Sequence, residues 1–419
     1  MHAPYKLLAL LIATGTATAA QADADVSGQI RARWDDRQPA TQGPLAKGAR
    51  LAPELIAPPA SSGAIESELR GRWQMLSAAV ALRTERAEGA AWQSDGSVNE
   101  LYASGDAAGW QLSAGRRIVA WDVGYGFRPN DIVQQEKRRT LLNSTPQGRA
   151  VLQAEHFNAS TAWSLVWVNP QRASDSEASS AFGGDEQALA ARVYRHIGDA
   201  DWHGFARYGQ HTRTSLGAAV SWVASESLEV HASGRAAERA DVLTIDPSAQ
   251  GLVSSSPYRT LTQGKTAQAL VGATWTAENK LSLMAEWWYD SSAPSNVQWD
   301  AWNSRNQQLA QTWFTGGPEA LRPGVAGNLG WQAQAFGGSS LRRNNVFARV
   351  AWDHEGWKPS FDVLYMPADR GHVLTAALGW QGNRVRVDAG WRANRGPAES
   401  VAAQLPTRRT AYVAGTWAF

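Results

Sequence analysis

Apolar and polar residues alternate along most of the sequence, and this period of two limits the possible folds more than any other feature. Residues 26–34 read VSGQIRARW, and the same alternation returns in AQALVGATW from Ala267 and NVFARVAW from Asn345. Successive side chains of a β-strand point to opposite faces, whereas a helix needs apolar residues at intervals of three and four. The chain is therefore predicted to be all-β.

Eighteen alternating segments of about 8 to 12 residues are predicted as strands. They lie near residues 25–35, 64–74, 77–86, 97–105, 109–119, 150–157, 161–169, 187–197, 202–211, 215–224, 227–237, 266–276, 280–290, 343–353, 357–366, 371–381, 384–393 and 408–419. Every second connection has only about two to four residues, whereas most of the others have about ten or more. A transmembrane antiparallel up-and-down β-barrel of about 18 strands (16–18) explains this pattern, with short periplasmic turns and long extracellular loops.

Tryptophan usage also favours a membrane protein. The chain has 21 Trp, and Trp concentrates at membrane–water interfaces. No segment after the N-terminal region approaches the roughly 18 consecutive apolar residues of a membrane-spanning helix. The strands themselves are thus expected to cross the membrane, with most Trp in two interfacial girdles near the strand ends.

The N-terminus has the features of a secretory signal. Lys6 precedes an apolar run over residues 7–13, and Ala20-Gln21-Ala22 suits cleavage. This run is too short to span a bilayer. We expect residues 1–22 to be a signal peptide and residues 23–419 to form a single barrel domain. The chain has no Cys, so an exported protein of this length would be stabilised by packing and backbone pairing instead of disulfides.

The sequence ends in TAYVAGTWAF, an alternating segment whose last residue is Phe419. We predict that this is the closing strand, with Trp417 and Phe419 facing lipid. In this respect the chain resembles the outer-membrane β-barrels of Gram-negative bacteria, whose last strand typically ends in Phe. The resemblance implies location in the cell outer membrane, contact with outer-membrane lipid and lipopolysaccharide, and recognition of Trp417 and Phe419 by the barrel-assembly machinery.

Charged side chains occupy the other face of the predicted strands. An Arg at the lipid midplane costs about 2 to 4 kcal/mol, so this face should point into the lumen. The predicted lumen-lining residues are Arg31, Arg33, Arg70, Arg72, Arg83, Arg117, Arg192, Arg207, Arg235, Arg349, Arg386, Arg392, Glu68, Glu155, Glu229, Glu286, Asp362 and Asp388. The 40 basic residues nearly balance the 38 acidic ones. Net charge therefore does not suggest a nucleic-acid partner, and none is expected.

Two long loops, 120–149 and 291–342, are expected to set the bore. The first is opened by GRRIVAWDVGYGFRPND, residues 115–131, which leaves the fifth predicted strand. Its candidate constriction residues are Arg128, Lys137, Arg138 and Arg139. This Gly-Arg strand, running into an aromatic and Gly-rich loop, resembles the alginate-export type of 18-stranded barrel, which passes an anionic polysaccharide through an Arg-rich lumen. The alternative is an ordinary surface loop that places Trp121 and Tyr125 at the interface.

The second loop contains WDAWNSRNQQLAQTWF, which has the composition of a short helix. Folded inward, this loop would narrow or plug the barrel, and folded outward it would form a surface for partners. The sequence leaves both arrangements open.

An 18-stranded barrel is wide enough for an aqueous path, and Arg favours carboxylates, phosphates and hydroxyl-rich solutes. We predict a porin-like channel or export pore for small hydrophilic solutes, with anions and saccharides as candidates. The alternative is a plugged barrel that acts as a binding protein or as a secretion or assembly accessory. A further alternative is that the paired Arg and acidic residues only brace the barrel wall and have no role in transport. Since no metal-ligand spacing, phosphate loop or established catalytic triad is present, no enzyme activity, cofactor or metal is expected.

Overall fold

The structure, a computed structural model, describes residues 24–134, 146–169, 186–246, 248–249, 251–314 and 318–419. Within these residues, eighteen antiparallel strands form one sheet. The sheet closes into a barrel because the first strand pairs with both the second and the last. The predicted all-β up-and-down barrel of about 18 strands is confirmed.

The strands match the predicted segments in number and order. They are β1 Ala24–Pro39, β2 Ser61–Trp73, β3 Leu76–Ala87, β4 Gln93–Ala107, β5 Trp110–Arg117, β6 Arg149–Phe157, β7 Thr161–Val168, β8 Ala188–Ile197, β9 Ala200–Gly209, β10 Arg213–Ser225, β11 Leu228–Ile245, β12 Tyr258–Thr276, β13 Leu281–Asp290, β14 Asn344–Trp352, β15 Trp357–Met366, β16 Gly371–Gln381, β17 Val385–Arg395 and β18 Thr407–Ala418. The largest difference is at β11 and β12, which continue beyond the predicted ends as a paired arm that reaches Ile245 and Tyr258.

The connections sort by side, as predicted. One end of the barrel has only short turns, of which 74–75, 108–109 and 198–199 are the shortest kind. The other end carries the long loops, including 40–60, 118–148 and 291–343. Since both described termini lie at the short-turn end, this end is periplasmic in an outer-membrane barrel. Among the described residues, no helix is long and apolar enough to cross a membrane.

The two faces of the wall differ in polarity. Large apolar side chains such as Leu165, Leu216 and Val413 point outward and are about half exposed. Trp163, Trp202 and others share this outward face near strand ends. This arrangement fits a wall that contacts hydrocarbon, with aromatic residues at its borders.

The last residue completes the closure between β18 and β1. The backbone N–H and C=O of Phe419 pair with those of Gly28 at 3.0 Å. A Cβ at Gly28 would lie 2.6 Å from the Phe419 ring, so this position has room only for glycine. The prediction that residues 410–419 close the barrel is confirmed. Recognition of Trp417 and Phe419 by an assembly machinery stays a prediction, as does the signal peptide, whose residues lie outside the described chain.

Four helices at the extracellular end form what is called here the outer cap. They are α1 Gly43–Leu51 and α2 Pro53–Ile56 between β1 and β2, and α3 Asn296–Phe314 and α4 Arg322–Trp331 between β13 and β14. Short 3-10 helices lie at Glu319–Leu321, Gln332–Gly337 and Ala402–Gln404. The helix predicted from WDAWNSRNQQLAQTWF is confirmed as part of α3.

Two apolar clusters hold the outer cap together. Leu51 of α1 packs with Leu309 of α3 and Leu329 of α4. Trp299 and Trp302 pack against residues of the wall and of the β17–β18 loop, with Leu341, Met366, Val401 and Ala402 in the same cluster. The described part of loop 291–343 therefore packs mainly against other extracellular segments, and of its described residues those at 339–341 line the lumen cavity.

Candidate functional site

Residues 118–134, called here the inserted loop, turn into the barrel after β5. Val119, Trp121, Ile132 and Val133 are buried, and they pack against inward-facing residues of the wall. These wall residues are Val151, Val166, Val168, Ala188, Ala190, Phe205 and Ala219, on β6–β10. The inserted loop thus covers the inner face of these strands. The alternative of an ordinary surface loop with interfacial Trp121 is wrong, because Trp121 is inside the barrel.

The sequence of β7 carries a signal for this insertion. In β7, Val166 and Val168 point inward and are almost fully buried, while Leu165 and Trp167 point outward. A strand between lipid and a water-filled lumen alternates apolar and polar residues. A strand that is apolar on both faces must be covered on both, and here the inner cover is the inserted loop.

Glu286 of β13 holds the tip of the inserted loop from across the lumen. Its two carboxylate oxygens accept hydrogen bonds from the backbone N–H groups of Tyr125 and Gly126, each at 2.7 Å. His231 Nε2 lies 3.0 Å from the same carboxylate. The Glu286 side chain is fully buried by these contacts. Because hydrogen bonds to an ionised group are stronger than neutral ones, Glu286 is the main polar anchor of the tip.

A second polar anchor fixes the far end of the inserted loop to β10 and β11. The Asn130 side-chain amide donates to Ser233 Oγ at 2.9 Å and to the carbonyls of Gly234 and Ala218 at 3.1 and 3.2 Å. Ser233 in turn donates to Asp122 Oδ1 at 2.6 Å. A Cβ at Gly217 would overlap Asn130 Oδ1. Glycine at this position therefore lets the inserted loop approach the wall.

Two buried carboxylates, those of Asp122 and Asp131, accept hydrogen bonds from the backbone of the inserted loop itself. Asp131 Oδ1 accepts the backbone N–H groups of Trp121 and Asp122 at 2.8 and 3.0 Å. Burial raises the pKa of Asp131 to about 6, although its hydrogen bonds and Arg128 act in the opposite direction. Burial also raises the pKa of Asp122. Both carboxylates are held where the charged form is disfavoured.

The inserted loop leaves a cavity of about 780 Å³ along β14–β18 and β1–β3. Tyr125, Phe127 and Arg128 at the loop tip form one side of it. Among the described residues, eight cationic side chains line the cavity, Arg33, Arg37, Arg83, Arg128, Arg349, Lys358, Arg386 and Arg392, against three carboxylates, Glu66, Asp362 and Asp388. The lining is therefore predominantly basic, although carboxylates behind it pair with several of these cations.

The three carboxylates of the cavity are all engaged by arginines. Arg349 Nη1 lies 2.8 and 3.1 Å from the two oxygens of Asp362, and Arg386 forms three hydrogen bonds to Asp388. Glu66 lies between Arg31 and Arg83, at 3.3 and 3.5 Å. These pairs fix the guanidinium groups on the wall. The other cations of the lining also have carboxylate neighbours outside it: Arg33 and Arg37 pair with Asp35, Arg128 with Asp131, and Lys358 with Asp353.

Aromatic rings extend the basic surface. Tyr125 stacks on Phe347 with ring centroids 5.7 Å apart, and the Arg349 guanidinium lies 5.6 Å from the Tyr125 centroid. Arg33 is similarly placed over Tyr412, at 5.3 Å. A guanidinium on an aromatic face is restrained without losing its charge, so these rings help to fix the positions of both groups on the cavity surface.

The other predicted lumen residues point inward but do not line this cavity. Arg207, Arg235 and Glu286 are buried beside the inserted loop, and Arg207 pairs with Glu186 at 2.8 Å. The remaining residues lie nearer the periplasmic end. Arg70 pairs with Glu68, and Arg72 borders a separate small cavity. Arg117 pairs with Glu155, Arg192 contacts His203, and Glu229 accepts a hydrogen bond from Ser221. The candidates Lys137, Arg138 and Arg139 lie outside the described residues.

Solved structures with the same architecture are outer-membrane proteins. The chain is similar to OccAB1 of Acinetobacter baumannii, with a TM-score of 0.54 and 10% identity over 95% of this chain and 96% of that one. OccK5 (OpdH) of Pseudomonas aeruginosa gives a TM-score of 0.53 and 10% identity over 95% and 98% of the two chains. The chain has the fold of a Gram-negative outer-membrane porin. At this identity the likeness concerns the fold alone.

Sequence comparisons add nothing to this result. No protein-family model matches the chain, and no curated protein sequence matches it. The predicted location in the outer membrane is confirmed by the barrel and its structural neighbours. The resemblance to alginate-export barrels is not confirmed.

Proposed function

We propose that the protein is a passive outer-membrane channel for small hydrophilic solutes and that it prefers anions. The observation that carries this proposal is the basic cavity beside the inserted loop, where eight cationic groups face three carboxylates. A path lined by one sign of charge and bounded by low-dielectric walls concentrates ions of the opposite sign.

The kind of cation in the lining supports the same preference. Asp362, Asp388 and Glu66 are each within reach of an Arg, and several of the cations are in turn within reach of carboxylates outside the lining. The preference therefore rests on the number and geometry of the guanidinium groups on the cavity surface. Planar guanidinium groups bind carboxylates and phosphates at two points, which an ammonium group does not do. Carboxylated or phosphorylated solutes are therefore the preferred class, with neutral saccharides as weaker candidates.

A planar-bilayer recording of the purified protein tests the proposal. In a tenfold KCl gradient the expected result is a stable current whose reversal potential has the sign of chloride selectivity. A cation-selective current would contradict the anion preference but leave the channel in place. Absence of current, both in the full chain and in a variant lacking residues 296–337 of the outer cap, would refute the channel.

The second candidate is a closed barrel with a binding or assembly role. Its supporting observation is that Leu341 and Leu405, beside the outer cap, border the extracellular end of the cavity together with Met366. This candidate predicts no current from the full chain. A current that appears only after removal of residues 296–337 would identify the outer cap as the closing element.

A further inference from the structure

The contact between the inserted loop and the wall buries several carboxylates. Asp122 and Asp131 of the loop and Glu286 of β13 are all buried there. The charged or titratable groups around them include Arg128 and Tyr125 on the loop and His231 and Arg235 on β11, and Arg235 also interacts with Arg207 and Asp290. A buried carboxylate is costly in its ionised form unless it is paired and hydrogen-bonded.

Asp131 is the least compensated of the three carboxylates. Its Oδ1 accepts two backbone N–H groups, but its Oδ2 is buried without a hydrogen bond. The nearest cation, Arg128 Nη1, lies 3.6 Å from Oδ2, and Arg128 Nε is already bonded to the Gly124 carbonyl. A proton on Oδ2 would remove the buried charge without disturbing the bonds at Oδ1.

We propose that Asp131 is a proton-operated lock on the inserted loop, which holds the loop more firmly against the wall when Asp131 is protonated and less firmly when it is ionised. The dependence of loop seating on pH follows from the difference in the pKa of Asp131 between the seated and the released loop. In the seated loop the pKa of Asp131 is about 6, against an ordinary value of 3.8.

The seated loop therefore binds the proton more tightly than a released loop does. The added stability is complete below about pH 3.8, falls as the pH rises through 6, and is absent above it. Between pH 7.5 and pH 5 the ratio of seated to released loop should rise by about tenfold.

The proposed role of Asp131 can be tested without a conductance measurement. Backbone hydrogen exchange of residues 119–133 is measured at pH 5 and pH 7.5 in the purified barrel and corrected for intrinsic exchange rates. The amides of Trp121 and Asp122, which bond to Asp131, should show about tenfold more protection at pH 5. Equal or weaker protection at pH 5 would overturn the proposal.

Two variants separate Asp131 from other titrating groups. Asp131→Asn keeps an acceptor oxygen for both backbone amides and mimics the neutral acid, so it should lose most of the pH difference. Asp300→Asn, at an exposed position on α3, is the matched control and should keep the wild-type difference. An Asp131→Asn protein that retains the full tenfold change would also overturn the proposal.

The consequence for transport rests on the proposed function. If the protein conducts, a loosened loop should increase gating noise at pH 7.5 relative to pH 5, because the loop tip borders the cavity. If exchange depends on pH but no current appears, the channel proposal fails and the lock stands. If current appears with pH-independent exchange, the lock fails and the channel stands.

Discussion

Glu286 on β13 accepts a hydrogen bond from the backbone N–H of Tyr125, with a nitrogen-to-oxygen distance of 2.7 Å. The two residues are more than 150 positions apart in the chain. The other oxygen of Glu286 binds Gly126 at the same distance. The inserted loop is consequently fixed at both sides of the lumen, through the apolar contacts on β6–β10 and through Glu286 on β13. Tyr125 and Arg128 owe their positions in the cavity to this attachment.

Glu286→Gln should release the loop tip without unfolding the barrel. Gln replaces one acceptor oxygen by an NH₂ group, which would face a backbone N–H. The loss of a hydrogen bond to a charged group is worth about 1.5–3 kcal/mol. Single-channel recordings should show larger and noisier openings, while the temperature of barrel unfolding in SDS stays nearly unchanged.

Glu155→Gln is the control for this variant, because Glu155 is also a buried wall carboxylate but bonds to Ser164 and Arg117. Identical recordings of Glu286→Gln and wild type would show that Glu286 does not position the tip.

The strands were predictable, whereas the inserted loop was not, and the reason is the range of the interactions. The alternation of apolar and polar residues within a strand indicates which side chains face lipid and which face the lumen. In β14, for example, Val346 and Val350 face outward and Arg349 faces the cavity. The loop position depends on contacts such as Asn130 with Ser233, which are 103 residues apart. Strand alternation assigns Glu286 to the inner face, but alternation does not distinguish an open lumen from one that contains a loop.

Arg349 and Asp362 provide two opposite tests of selectivity at one ion pair. Arg349→Gln removes a cation from the cavity and should lower the chloride-to-potassium permeability ratio. Asp362→Asn removes an anion and should raise it. One unit charge at about 4 Å is worth about 1 kcal/mol in water, so each change should be up to about fivefold. Reversal potentials in a KCl gradient measure both.

The control for these two variants is Arg259→Gln, at an exposed position on the extracellular arm of β12 that pairs with Asp246. It should leave the ratio unchanged. Changes of the same sign in Arg349→Gln and Asp362→Asn would contradict an electrostatic origin of the selectivity, because the two variants alter the cavity charge in opposite directions.

Gly217→Ala should displace the far end of the inserted loop. The added methyl group would overlap Asn130 Oδ1, and overpacking of this kind typically costs about 1–3 kcal/mol. Hydrogen exchange at Asn130 and Ile132 should become faster while the barrel strands remain protected. Gly71→Ala is the matched control, since a Cβ there meets nothing within 4 Å. Equal protection of the loop in both variants would mean that the wall accommodates the methyl group.

Gly28→Val should weaken the closure between β1 and β18. The new side chain would meet the Phe419 ring, which lies 2.6 Å from the position of a Cβ, and the Glu68 carbonyl at 2.9 Å. Barrels refolded in vitro should lose their compact form in SDS at a lower temperature than wild type. Gly415→Val, on the neighbouring strand with open space around it, should show no such loss. If the ring is the obstacle, Phe419→Ala should recover part of the stability lost in Gly28→Val, and the non-additivity of the double variant measures that contact. Additive effects would assign the loss to the Glu68 backbone instead.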